Sequence, residues 1–169
     1  MIRIYYHLIL KQLMNWLNKM NKLKLFSYPL IIIGVSLILL GARWMLVSEP
    51  WMLDEVANVE RLQMSFSELF EPEINSTLPG YLRQIYRFFG FWVIIIGLFL
   101  SLFSTPKMLV NKSVGKKVLF ILGIMLIIGA ILGYSLIPSS HFIYLIWIKI
   151  IIYVISIYGY FGVHYDKKN

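Results

Sequence analysis

Long apolar stretches alternate with short polar segments along this chain of 169 residues. Four of the stretches have about 20 residues each, the length that an α-helix needs to cross the hydrocarbon core of a bilayer. They lie at about residues 26–47, 85–104, 118–137 and 142–163. The pattern predicts an all-α protein, a four-transmembrane-helix bundle whose membrane domain covers residues 26–163.

The N-terminal segment, residues 1–25, has a helical pattern of its own. Its apolar residues recur at intervals of three or four positions: Tyr6, Ile9, Leu13, Trp16, Leu17 and Met20. Lysines fall mostly between these positions, which predicts an amphipathic helix on an anionic membrane surface. The alternative is that translation starts at Met20, so that residues 1–19 are not made.

The segment between the first two spans, residues 48–84, is too long for a passive connection. Its apolar residues recur at helical spacing: Met52, Val56, Val59, Leu62, Phe66 and Phe70. This predicts an amphipathic helical cap of one or two short helices across the outer mouth of the bundle. Ser65 and Glu68 match a capping box, which predicts a break near Met64. Ser76 or Thr77, followed by Pro79, predicts the start of the second span.

The charges are few and are separated by sign along the chain. Only 14% of the residues are charged and 59% are apolar, with a formal net charge of +8. Seven of the eight acidic residues fall between residues 49 and 73, whereas residues 1–24 and 105–117 carry basic residues and no acid. The tail, residues 164–169, adds two lysines. Because cytoplasmic segments are rich in Lys and Arg, this predicts a multi-pass inner-membrane protein with both termini cytoplasmic and an extracytoplasmic cap. The separation also argues against a nucleic-acid partner.

Lys149 is an ammonium group in a run of the fourth span that is otherwise apolar and aromatic. Since each helical residue turns by about 100°, the hydroxyl groups at positions 153, 156 and 160 share one face with this lysine. Such a polar stripe should face protein, because unpaired polar groups in hydrocarbon are costly. Arg43 lies near the outer end of the first span, so two cations are expected in the outer half of the membrane.

Two roles are open for Arg43 and Lys149, and they are not exclusive. In the first, both cations reach acidic residues of the cap and hold it to the bundle. The candidate acids are Glu49, Asp54 and Glu55. In the second, the cations form a pocket that binds a lipophile such as a phospholipid head group or a quinone. The further candidate ligand-binding residues are Tyr153, Ser156 and Tyr160.

Small residues mark the faces on which the helices should pack, because close contact between helices in lipid depends on them. The candidates are Gly34 and Gly41 in the first span; Gly90, Gly97, Ser101 and Ser104 in the second; and Gly129 and Gly133 in the third. The last pair forms a GxxxG motif. It predicts contact within the bundle, with a homo-oligomer or another membrane protein as the alternative partner.

The sequence offers little for catalysis. It has no cysteine, which excludes disulfides, thiol redox chemistry and Cys-ligated metals. The imidazoles are His7, His141 and His164, and no predicted span contains Asp or Glu. No phosphate-binding loop or nucleophile motif is present. We therefore predict no catalytic centre, no metal and no cofactor other than the quinone or lipid considered above.

The stretch "FGFWVIIIGLFLSLF", residues 89–103, follows the predicted cap. The chain has one span, an outer amphipathic segment and three further spans. This plan, together with the stretch at residues 89–103, resembles that of the DoxX-like small bacterial membrane proteins over residues 26–163. The chain lacks an acidic residue just before these glycines, where it has "QIYRFFG", so the resemblance implies no redox role.

The predicted function is that of a non-catalytic accessory or scaffold protein that binds a membrane partner or lipid. The alternative is a subunit of a lipid- or quinone-handling enzyme or transporter that uses the cationic pocket.

Overall fold

A computed structural model describes residues 2–165, with side chains at 18 and 20–165, and this part of the chain is helical without a strand. The α-helices are α1 (Ile2–Leu46), α2 (Glu55–Leu62), α3 (Phe66–Phe70), α4 (Leu78–Phe103), α5 (Pro106–Leu109), α6 (Lys112–Leu136) and α7 (Phe142–His164). By length and composition α1 from Met20, α4, α6 and α7 can each cross a membrane. The prediction of an all-α protein with four helices long and apolar enough to cross a membrane is confirmed.

Helix α1 is continuous across the predicted boundary near residue 25 and through Pro29. The predicted amphipathic face of residues 1–25 depends on side chains that mostly lie outside the described ones. Most of the predicted tail, beyond Tyr165, also lies outside the described residues.

Helix α1 lies at the centre of the bundle, because it packs against both α4 and α7. Its contact with α4 is made by glycines, as predicted. A β-carbon on Gly97 would lie 2.6 Å from the carbonyl oxygen of Gly34, and Gly41 faces Gly90 in the same way. Helix α6 packs mainly against α7 and meets α4 over only a few residues. The contacts between the long helices therefore run from α4 through α1 and α7 to α6.

The contact between α1 and α7 is extensive and partly polar. The Ser156 hydroxyl donates to the carbonyl oxygen of Phe26 at 2.7 Å, and Gly159 lies against the α1 backbone at Leu25 and Phe26. The Phe26 ring is fully buried and meets the Tyr160 ring edge to face. This contact forms the centre of the apolar core.

The GxxxG pair of α6 is divided between two environments. Gly133 packs against the side chains of Ile143 and Ile146 of α7, so this half of the motif makes a contact within the bundle, as predicted. A β-carbon on Gly129 would meet nothing within 4 Å.

The connection between α1 and α4 consists of α2, α3 and two short 3-10 helices, Pro50–Asp54 and Glu73–Asn75. Helix α2 ends at Leu62 and Gln63 adopts a left-handed conformation, with φ of 57°. Ser65 and Glu68 form the predicted capping box at the start of α3. Thr77 is the N-cap of α4, with proline in the first turn, as predicted.

The residues that this connection buries agree only in part with the apolar stripe. Phe66 is buried as the stripe predicts, but Met52, Val56 and Leu62 are exposed. Asp54 and Ala57, which fall outside the stripe, are buried. The reason is tertiary: Asn58 and Arg61 bond to α4 and to the end of α6. The Asn58 amide contacts the Tyr86 hydroxyl at 3.4 Å, and the Arg61 guanidinium donates to the Leu136 carbonyl oxygen at 3.0 Å. The side of α2 that carries Ala57, Asn58 and Arg61 therefore contacts the bundle.

Candidate functional site

A cavity of about 340 Å³ lies where the first 3-10 helix and α2 meet α1, α4 and α7. One side is polar and consists of Asp54, Asn58 and Tyr86, and Lys149 of α7 also lines the cavity. The remaining walls are apolar and aromatic: Leu40, Trp44, Pro50, Ile137, Phe142, Leu145 and Ile146. The cavity therefore combines a small polar end with a hydrophobic surround, the general form of a site for a small ligand.

Asp54 is the acidic residue that this fold removes from water. Of the seven acids between residues 49 and 73, the other six are exposed, whereas Asp54 is only 9% exposed. Its Oδ1 atom has no hydrogen-bond partner in the described part of the chain. Burying an ionised carboxylate without a partner is costly, so a group that supplies a proton or a positive charge is expected beside it.

Local structure explains how Asp54 comes to face inward. Pro50 begins the 3-10 helix, which ends at Asp54. Within it the Trp51 side chain is buried and meets the rings of Phe66 and Phe70 at centroid distances of 6.2 Å and 5.6 Å. This aromatic cluster fixes the rotation of the 3-10 helix, and Asp54 lies three residues further on the same side.

Asn58 and Tyr86 complete the polar side. Asn58 lies four residues after Asp54, so both share one helical face. The Asn58 amide nitrogen donates to the Trp51 carbonyl oxygen at 2.8 Å, which ties α2 to the 3-10 helix. The Tyr86 ring meets the Trp44 ring edge to face, with centroids 6.4 Å apart. Two neutral hydrogen-bonding groups are thus held in fixed positions beside the carboxylate.

Lys149 reaches the same cavity from α7. Its side chain is half-buried, and it forms no ion pair with a carboxylate of the described residues. The structure thus brings one predicted acid, Asp54, and one predicted cation, Lys149, to a single cavity. They face its interior instead of bonding to each other.

The other predicted site residues lie elsewhere. Arg43, Glu49 and Glu55 are exposed and do not line this cavity. The hydroxyls of Tyr153 and Ser156 donate to the carbonyl oxygens of Leu119 and Phe26, at 2.8 Å and 2.7 Å. The Tyr160 side chain is buried against Phe26. The predicted stripe thus faces protein and joins helices, and a ligand-binding role for these three residues stays a prediction.

Sequence reasoning missed Asn58 and Tyr86 as cavity residues. The signal for Asn58 was its four-residue spacing from Asp54, which places both on one face. Tyr86 lies near the start of a predicted span, where aromatic residues are often membrane-interface anchors, and nothing local distinguishes that role from lining a cavity.

The chemistry available here is that of binding. Asp54 offers an unsatisfied acceptor, Lys149 offers an ammonium donor, and Asn58 and Tyr86 offer groups that donate or accept. Among the described residues no group of three or more His, Cys, Asp or Glu is placed to hold a metal ion. A ligand that carries both a donor and an acceptor would satisfy both charged residues.

The resemblance to DoxX-like proteins stays a prediction that depends on residues 89–103 and on the order of the spans. No protein-family model, no curated protein and no solved structure matches this chain.

Proposed function

We propose that this protein is a non-catalytic multi-pass inner-membrane protein that binds the polar head group of a membrane lipid in the cavity between Asp54 and Lys149. The observation that carries the proposal is the Asp54 carboxylate, buried with one unpartnered oxygen, in a cavity that the half-buried Lys149 also lines. A chain that needed only to fill this space would place apolar side chains there, since an unpaired buried charge lowers stability.

The two opposite charges favour a zwitterionic head group. In an aminophospholipid the ammonium would pair with Asp54 and the phosphate with Lys149, while Trp44 and Phe142 would contact the adjoining hydrocarbon. A quinone carbonyl would accept from Lys149 or Tyr86 but would offer no donor to Asp54. An anionic lipid without a donor would be repelled by the carboxylate. An aminophospholipid is therefore the favoured ligand.

The proposed orientation places this site in the outer leaflet. The separation of charge along the chain supports cytoplasmic termini and an extracytoplasmic connection between α1 and α4. The connection would then act as a cap over the cavity, and residues 1–25 would lie on the cytoplasmic face. Exposed apolar side chains such as Val56 and Ile74 would contact lipid at the outer interface.

Native mass spectrometry of the gently extracted full-length protein tests the proposal. We expect a bound aminophospholipid that is lost in Lys149→Met and in Asp54→Asn. Arg43→Met is the matched control, because it also removes a cation from the outer end of a span but does not line the cavity. Variants that keep the lipid but unfold at lower temperature would instead show that Asp54 and Lys149 only hold the cap to the bundle.

A role as accessory to another membrane protein is the second candidate, and the open position at Gly129 favours it. Because glycine has no side chain, a second helix can approach the exposed face closely at this position. Gly129→Leu would then abolish co-purification of the partner or of a second copy, whereas the same substitution would leave lipid retention in the cavity unchanged.

A further inference from the structure

An apolar groove runs between α4 and α6 on the outside of the bundle, away from the Asp54 cavity. It forms because α4 packs against α1 and α6 packs against α7, while α4 and α6 barely meet. Its volume is about 490 Å³. The walls include Ile96, Phe99 and Phe103 from α4 and Val118, Ile121 and Met125 from α6.

The groove has the length of one leaflet. Its α6 wall runs from Val114 to Met125, and the part from Lys117 to Met125 rises by about 12 Å at 1.5 Å per residue. Half of a hydrocarbon core is about 15 Å thick. A groove of this extent, beginning at the end of a membrane helix, spans the acyl region of a single leaflet.

Apart from one lysine, the residues that line the groove are apolar or aromatic, which suits an extended acyl chain.

One charged residue, Lys117, lines the groove, and it lies at the end near the α4–α6 connection. The surrounding segment, residues 105–117, contains four lysines and no acid. Another of the four, Lys112, is directed to the residue that follows α7. Its ammonium lies 3.8 Å from the centroid of the Tyr165 ring.

We propose that this groove binds one acyl chain of an anionic phospholipid, with the Lys117 ammonium paired to the lipid phosphate. The lipid belongs to the leaflet on the side of residues 105–117. Charge complementarity selects an anionic head group, because basic residues attract anionic lipids and no carboxylate of residues 105–117 opposes it. The proposal does not depend on the Asp54 cavity, which lies at the opposite end of the bundle.

The test uses full-length protein in nanodiscs of equal parts phosphatidylglycerol and phosphatidylcholine. Lipids retained after gentle release are counted by native mass spectrometry. We expect a preference for phosphatidylglycerol that falls about fivefold in Lys117→Gln, the effect of one lysine near an anionic surface. Lys117→Arg should restore the preference, and Lys116→Gln should leave it intact. Ile121→Trp, which fills an exposed groove wall, should reduce retention without lowering the unfolding temperature.

Several outcomes would overturn the proposal. Equal losses in Lys117→Gln and Lys116→Gln would mean a diffuse surface attraction with no defined site. Retention unaffected by Ile121→Trp would mean that the groove is not the binding site. Loss of the helical circular dichroism signal together with phosphatidylglycerol in Lys117→Gln would also count against the proposal. Lys117 is exposed and should not be needed for folding.

Discussion

Gly34 of α1 and Gly97 of α4 lie backbone to backbone. A β-carbon on Gly97 would lie 2.6 Å from the carbonyl oxygen of Gly34, and one on Gly34 would lie 2.9 Å from that of Gly97. Gly41 and Gly90 make the same contact seven residues away. Because seven residues are close to two helical turns, this spacing keeps both glycines of each helix on one face, and the helices approach without intervening side chains.

Gly97→Val should therefore separate α1 from α4. The added side chain meets the backbone and Ile38 of α1, which have little room to move. We expect the free energy of unfolding to fall by about 1–3 kcal/mol, the usual cost of overpacking. Thermal unfolding of the detergent-solubilised protein measures the change. Gly129→Val is the matched control, because a β-carbon there meets nothing within 4 Å. Equal effects at both positions would contradict the packing described.

The Ser156 hydroxyl should contribute measurably to stability through its bond to Phe26. This buried bond joins α7 to the central helix at 2.7 Å. Hydrogen bonds between membrane helices contribute about 0.6 kcal/mol on average and up to about 1.7. We expect Ser156→Ala to lower the free energy of unfolding within this range, by the same assay. Ser135→Ala removes an exposed hydroxyl from α6 and should have no effect. A loss at position 135 equal to that at 156 would contradict this.

The membrane helices follow closely from the sequence, because length and hydropathy decide whether a segment can cross a bilayer. Their ends are set by other signals. Hydropathy alone placed the second span at about residue 85, whereas α4 begins at Leu78, after the N-cap Thr77 and with Pro79 in its first turn. Capping residues thus located this end better than hydrophobicity did. The glycine faces of α1 and α4 could also be predicted, because small residues mark close helix contacts in lipid, but the sequence did not indicate that these two helices pair.

Only part of the candidate site could be predicted from the sequence. Asp54 and Lys149 were both named from the sequence, but among the acids nothing local distinguished Asp54 from Glu49 or Glu55. Its burial depends on Trp51 and on bonds made by Asn58 to distant residues. The apolar stripe of α2 pointed to the opposite face. Which face of α2 meets the bundle depends on bonds of Asn58 and Arg61 to distant residues, and the local pattern carries no sign of them.

The membrane orientation has a direct test. The natural chain has no cysteine, so single-cysteine variants carry one reactive thiol each. Glu60 and Lys112 are both exposed, and they lie at opposite ends of the bundle. If cytoplasmic segments carry the lysines, an impermeant maleimide should label Glu60→Cys in intact cells and should label Lys112→Cys only after the cells are opened. The reverse pattern would invert the proposed topology and move the Asp54 cavity to the inner leaflet.

A double-mutant cycle on Asp54 and Lys149 measures whether the two charges interact across the cavity. Lys149→Met leaves a buried carboxylate without a cation, so it should lower the free energy of unfolding more than Asp54→Asn does. The double variant should be more stable than the sum of the single effects predicts, by about 0.5–3 kcal/mol, the usual coupling between neighbouring residues. Arg43→Met combined with Asp54→Asn is the control, and its effects should add, because Arg43 is exposed and outside the cavity. If the effects of the Asp54 and Lys149 substitutions simply add, the two groups do not interact. The proposal that a head group bridges them would then have no support.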